Sequence, residues 1–159
     1  MTSTQFLRPL LTPASVALVG ASSKPGSIGR IVMENLLEGD FHGALFAVNP
    51  NHRRVLGQPA YGSFAAIKTP IDLALIAVPC TSAINVLNES GRAGTRAAVI
   101  FSAPPEDPAD ARRWQRELLA VAGARGIRAV GPHSFGVMRT SLGLNATVGT
   151  AIARQGRLA

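Results

Sequence analysis

"LVGASSKPGSIGR", residues 18–30, is an apolar run that breaks into glycine, serine and lysine and then resumes at helical spacing. A buried strand turning sharply into a helix has this pattern. Gly20 lets the chain turn off the strand, Gly26 lets backbone approach a ligand, and Gly29 permits close packing of helix against strand. Ser27 suits an N-cap, Ile28, Ile31, Val32 and Leu36 fall at i, i+3, i+4 and i+8, and Gly39 follows as a stop. The helix N-terminus then offers unpaired N–H groups and a positive dipole end, with Ser22, Ser23 and Lys24 as further donors. A diphosphate is its natural guest. The competing reading is a glycine-rich turn that merely joins strand to helix, because Gly20-x5-Gly26-x2-Gly29 is longer than G-x-G-x-x-G and lacks the G-K-[ST] ending of a P-loop.

Outward from this stretch, the runs at 15–19, 44–48, 73–78, 97–101 and 128–130 are aliphatic and do not alternate, which predicts a parallel sheet covered on both faces. A second helix is expected from Thr81 or Ser82 to Gly91. A third starts at Asp107-Pro108, a cap followed by proline at the first helical position, and runs through Trp114, Leu118 and Val121 to Gly123 or Gly126. The fold class is α/β, a Rossmann-like, doubly wound, mainly parallel sheet in one domain. Residues 49–70 weaken into an irregular connection with one helical turn near 63–67, and beyond Gly136 no periodic signal is strong.

With 159 residues, nearly half of them apolar, the chain suits one core without staples. Cys80, the only cysteine, excludes an intramolecular disulfide framework, and the first residues resemble neither a secretory nor a transit signal, which points to the cytoplasm. No apolar run approaches the roughly 18–20 residues of a membrane span, so no membrane partner is expected. The formal charge of +7 invites a nucleic-acid reading. Against it, the only lysines are Lys24 and Lys68, the arginines are scattered, and the few aromatics are not interleaved with them. No nucleic acid is expected.

In an open parallel sheet ligands bind at the carboxyl ends of the strands. The segments 20–29, 49–54, 79–81, 102–105 and 131–136 should therefore share one rim. An NAD site usually places Asp or Glu after strand two for the ribose hydroxyls; here "AVNPNHRR" carries none, and His52, Arg53 and Arg54 offer positive charge instead. That suits a phosphorylated ribose, as in NADP or coenzyme A, unless the segment is simply a solvated basic loop. Cys80 reads as a small buried residue with a redox role left open, His42 as a residue of the loop before strand two, and Trp114 as helix packing. Asp72, Glu106 and Asp107 form no acid/base pair, and no metal-ligand spacing occurs.

Taken together, "SVALVGASSKPGSIGR", "AVNPNHRRVLGQPAYGSF", "IDLALIAVP" and "GIRAVGPHSFGV" resemble, in order and spacing, the CoA-binding domain that opens NDP-forming acyl-CoA synthetases and is related to the succinyl-CoA synthetase α subunit. Residues 10 to 150 carry the likeness. Within that superfamily "IFSAPP", "SLGLNATV" and the terminal "RQGRLA" are most similar to Pat-type protein lysine acetyltransferases, whose synthetase-like region is fused to a GNAT domain.

The resemblance implies a CoA, acetyl-CoA or other acyl-CoA ligand and downstream synthetase-like domains as partners. It sets Ser22, Ser23, Lys24 and Pro25 in the CoA loop, Gly26 and Ser27 at the helix entrance, and Phe101, Ser102 and Ala103 at the contact after strand four. The synthetase lysine after strand two aligns with His52 or Arg53, and the family's "GPNCLG" becomes "GPHSFG", with His133 and Ser134 in place of Asn and Cys. Gly20, Asn49, Pro50, Val78, Pro79 and Pro132 complete the expected cofactor-binding set. A lead-in over 1–12, the CoA-binding domain over 13–150 and a linker beginning at 151–159 are expected. The family's phosphorylated histidine lies in the following domain, so no histidine here corresponds to it, and no catalytic residue or metal ligand is assigned. Binding without turnover follows, with homo-oligomers open; the rivals are an NAD(P)-linked oxidoreductase domain and a stand-alone acyl-CoA or redox sensor acting through Cys80.

Overall fold

Aliphatic residues with no polar alternation need cover on both sides, and that requirement organises the chain. The computed structural model describes residues 3–151, 153 and 156. In chain order it contains α1 (Ser3–Leu11), β1 (Ser15–Val19), α2 (Ile28–Glu38), β2 (Ala44–Val48), β3 (Arg54–Val55), β4 (Gln58–Tyr61), β5 (Leu73–Ile76), α3 (Cys80–Arg92), β6 (Ala97–Ile100), α4 (Pro108–Arg125), β7 (Arg128–Val130), β8 (Gly136–Arg139) and β9 (Leu144–Thr147). Single 3-10 turns occupy Phe64–Ala66 and Thr140–Leu142.

Seven strands form one sheet in the order β3-β4-β2-β1-β5-β6-β7, parallel throughout except for the β3–β4 pair. Successive residues of the inner strands serve opposite faces. Val16, Leu18, Leu73, Leu75, Ala97 and Val99 join Val32, Met33 and Leu36 of α2 in one core. Ala17, Val19, Ala74, Ile76, Ala98 and Ile100 join Ala83 and Leu87 of α3 and Trp114 and Leu118 of α4 in the other. Each fully buried Leu or Ile adds roughly 1.5–3 kcal/mol, so the two cores dominate the stability of the sheet. The strand order reverses between β1 and β5, because β2 and β5 flank β1 on opposite sides.

Cap chemistry sets the helix limits. The Ser27 side chain accepts from the Arg30 amide at 3.3 Å, and Gly39 closes α2. Asp107 Oδ1 accepts from the Ala109 and Asp110 amides at 2.9 Å each, Pro108 fills the first turn of α4, and Gly126 ends it at φ +64°. Trp114 is buried and donates through Nε1 to the Cys80 carbonyl at 2.9 Å. His42 is exposed in the connection before β2.

Several expectations need correction. Residues 54–61 are not irregular: a two-residue turn at Leu56 and Gly57, both at positive φ, folds them into the β3–β4 hairpin, and β4 extends the sheet beside β2. The helical turn near 63–67 is present as Phe64–Ala66. Beyond Gly136 the chain forms a second hairpin, β8–β9, laid on α2, where Asn35 Nδ2 donates to the Thr147 and Gly149 carbonyls at 2.8 Å each. The lead-in contains α1, and Leu10 of that helix joins the core. The strands predicted to reach Val78 and Phe101 stop at Ile76 and Ile100, and α3 begins at Cys80 and ends at Arg92. Much of the expected linker at 151–159 lies outside the described residues. No described helix is long and apolar enough to cross a membrane.

Candidate functional site

Where each inner strand ends, the departing chain donates one more amide to its neighbour. Asn49 donates to Tyr61 O at 2.9 Å, Gly20 to Val48 O at 3.1 Å, Ala77 to Val19 O at 2.8 Å, Phe101 to Ile76 O at 3.0 Å and Ser134 to Ile100 O at 3.1 Å. The post-strand segments are thereby stitched into one continuous rim, as expected for the carboxyl edge of a parallel sheet.

At the centre of that rim lies the β1–α2 loop. Gly20 sits at φ +90°, and a Cβ there would stand 2.4 Å from the Ala77 carbonyl oxygen; at Gly29 a Cβ would come within 1.8 Å of the Gly20 carbonyl oxygen. Both glycines are demanded by backbone contact, and together they seat α2 against the strand end. Ser23, Lys24, Pro25 and Gly26 stand exposed beyond them.

Local hydrogen bonds fix the loop. Ser22 Oγ accepts from the Lys24 amide at 3.0 Å and Ser23 Oγ accepts from the Leu56 amide at 3.3 Å, so neither hydroxyl proton is committed among the described residues. The Ser27 hydroxyl does donate, to Lys24 O at 2.8 Å, so its proton is committed within the loop while its oxygen caps α2. Arg30, which the sequence reading passed over, ties α2 to the loop: Nη1 donates to Ser23 O and Nε to Glu34, each at 2.7 Å. Its i+4 acid was visible in the sequence, but its reach to Ser23 arises only in three dimensions.

Not every expected residue presents its side chain. Asn49 spends its amide on Ala21 O at 2.8 Å and its oxygen on the Asn51 and His52 amides, binding the post-β2 turn to the β1–α2 loop. Pro50, His52 and Arg53 are exposed on that turn. Val78 is half-buried and Pro79 exposed ahead of α3. Phe101 and Ser102 are buried, at 1% and 5% exposure, and Ser102 donates to Val78 O at 2.6 Å; only Ala103 of that trio reaches the surface. Pro132 follows a cis peptide bond, and His133, exposed at φ +52°, donates its amide to Ser102 O at 3.1 Å.

The charge pattern is one-sided. Lys24, Arg30, His52, Arg53 and Arg54 belong to the loop region or to the turn joined to it, while Glu34 is engaged by Arg30 and no carboxylate occurs between Ala44 and Arg54. An anionic ligand suits this rim. By contrast, the hollow at the far end of α2, lined by Glu38, Met138, Thr140 and Asn145, carries the wrong charge for a phosphate. Among the described residues no three His, Cys, Asp or Glu side chains gather as a metal site.

Residues 14–140 match the family description of a CoA binding domain. The chain belongs to that family. The CoA binding domain is 37% identical over 151 residues to an ADP-forming acetate–CoA ligase I of Archaeoglobus fulgidus, covering 94% of this chain and 22% of the relative. It is 35% identical over 158 residues to the α subunit of an ADP-forming acetate–CoA ligase I of Pyrococcus furiosus, covering 96% and 34%. The crystal structure of PH0766 from Pyrococcus horikoshii OT3 superposes with a TM-score of 0.88 at 34% identity, covering 94% of this chain and 34% of that one. The domain thus spans about a fifth to a third of the length of these relatives. Its fold is a single α/β unit with a mostly parallel seven-stranded sheet flanked by helices, and CoA or an acyl-CoA is the ligand consistent with the family.

Proposed function

We propose that the domain binds CoA or an acyl-CoA with the diphosphate at the N-terminus of α2. Ser22, Ser23 and Lys24 supply donors beside Gly26, and the phosphorylated ribose lies toward His52 and Arg53. The observation that carries this reading is the open helix N-terminus, whose neighbouring hydroxyl protons are uncommitted and whose nearest loops are basic. Pro50, Val78, Pro79, Ala103, Pro132 and His133 then line the rim, whereas Ser27, Asn49, Phe101 and Ser102 support it from behind.

Calorimetric titration of the chain with CoA, acetyl-CoA, NADH and NADPH at two salt concentrations tests the reading. Saturable binding of CoA or acetyl-CoA alone, weaker at high salt and weakened by Lys24→Ala, is expected. Binding of the nicotinamide cofactors without CoA would overturn it.

For a longer protein containing this domain, the relatives support interconversion of acyl-CoA, nucleoside diphosphate and phosphate with acid, CoA and nucleoside triphosphate, with synthetase-like domains as partners. The finer acetyltransferase reading rests on "IFSAPP", "SLGLNATV" and "RQGRLA" alone. It predicts acetyl transfer from acetyl-CoA to protein lysine by a protein that carries a GNAT domain. The domain limits of 13–150, with a linker beyond, belong to the same proposal.

A further inference from the structure

The CoA reading fixes where the reactive end of the ligand falls, and this inference rests on that reading. With the diphosphate over the end of β1 and the ribose phosphate toward the β2 side, the remaining arm runs across β5 and β6 to β7. Three strand spacings separate β1 from β7, about 14 Å. The pantetheine arm has about as many chain bonds as four residues, roughly 14 Å when extended. The thiol therefore arrives at residues 131–136.

One side chain there is suited to act on it. His133 is exposed, and its imidazole makes no hydrogen bond among the described residues, while its backbone is held by Ser102 O and, one residue on, by the Ser134–Ile100 bond. Two residues along the same segment, the exposed Phe135 ring lies against Gly149 and offers apolar surface on this part of the rim. The adjoining rim segments contribute Cys80 at the start of α3 and Glu106 and Asp107 beyond β6, of which Asp107 is committed to capping α4.

We propose that His133 is the proton acceptor for the thiol of bound CoA. The S–H bond breaks, its proton forms an N–H bond on the imidazole, and the electron pair stays on sulfur as a thiolate, the form that attacks carbonyl carbon. Exposure lets the imidazolium return its proton to water. His133 is thus a catalytic residue of the rim, whereas Ser102, which holds its amide, is a positioning residue.

The test measures alkylation of CoA by iodoacetamide at pH 7 with the chain in excess, so that all CoA is bound and a change in affinity does not enter. S-carboxamidomethyl-CoA is quantified by chromatography, and binding is measured separately by calorimetry. His133→Asn is the main variant, since Asn tolerates the positive φ. The wild-type chain is expected to alkylate bound CoA on the order of tenfold faster than H133N, because a free thiol is only a few per cent ionised at this pH. Added imidazole should restore the rate in His133→Ala. Equal rates in wild type and H133N with CoA bound to both would overturn the assignment, as would a slow H133A that imidazole does not rescue. Failure of the wild-type chain to bind CoA would instead overturn the CoA reading, and this inference with it.

Discussion

The segments that follow β1 and β6 leave the same edge of the same sheet, yet they do opposite things with their polar groups. After β1 the chain bulges outward, Ser23 to Gly26 are exposed, and the Ser22 and Ser23 hydroxyl protons are uncommitted among the described residues. After β6 it turns inward: Phe101 packs in the core, the Ser102 hydroxyl is spent on Val78 O, and the Ser102 carbonyl is spent on His133. A rim position is therefore not enough to leave a polar side chain free to meet a ligand. The deciding feature is whether the backbone bonds at the strand end leave donors over, and in this domain they do so beside α2.

Substitutions on both segments can break or sharpen that contrast. The largest effect is expected from Gly29→Ala, whose new Cβ meets the Gly20 carbonyl at 1.8 Å; thermal unfolding should show a loss of at least about 3 kcal/mol, if the chain folds at all. Next comes Ser102→Ala, which strips the hydroxyl from the buried strut and should cost about 1–2 kcal/mol in urea unfolding. If it weakens CoA binding while stability holds, the post-β6 segment is a ligand contact after all. Asp107→Ala, five residues further along the same segment, removes both cap bonds of α4 and should cost about 1 kcal/mol by the same measurement. The smallest change in stability, within about 0.5 kcal/mol, is expected from Lys24→Ala, with CoA affinity falling on the order of tenfold in calorimetry. A Lys24 variant that unfolds easily but binds normally would reverse the roles of the two segments.

What could be read from the sequence was whatever local chemistry determines. Ser27 and Gly39 bracket α2, Asp107-Pro108 and Gly126 bracket α4, and unbroken aliphatic runs mark the inner strands, because caps and burial act over a few residues. The two hairpins escaped notice for physical reasons. β3 is two residues long, its partner contains Pro59, and its turn places Leu56 at φ +48°, where Asn or Gly would be expected. β8 and β9 are joined through a 3-10 turn and owe their place to α2, 112 residues from Thr147 in sequence at the Asn35 contact. At the site, residue types pointed to the anion loop, but the supporting roles of Asn49, Ser102 and Arg30 depend on partners in other segments that no spacing rule reveals.

The Asn35 contact also bears on how short the domain can be cut. The match to the family description ends at residue 140, a natural place to trim an expression clone. Such a clone would retain all seven strands of the main sheet but lose β9, removing Leu144 and Ala146 from the core they share with Met33 and Leu36 of α2 and leaving the Asn35 amide without its two acceptors. The helix proposed to hold the diphosphate would then lack its cover along one side. The shortest self-supporting piece is expected to extend through Gly149, and a shorter one should yield insoluble protein even though its sheet is complete.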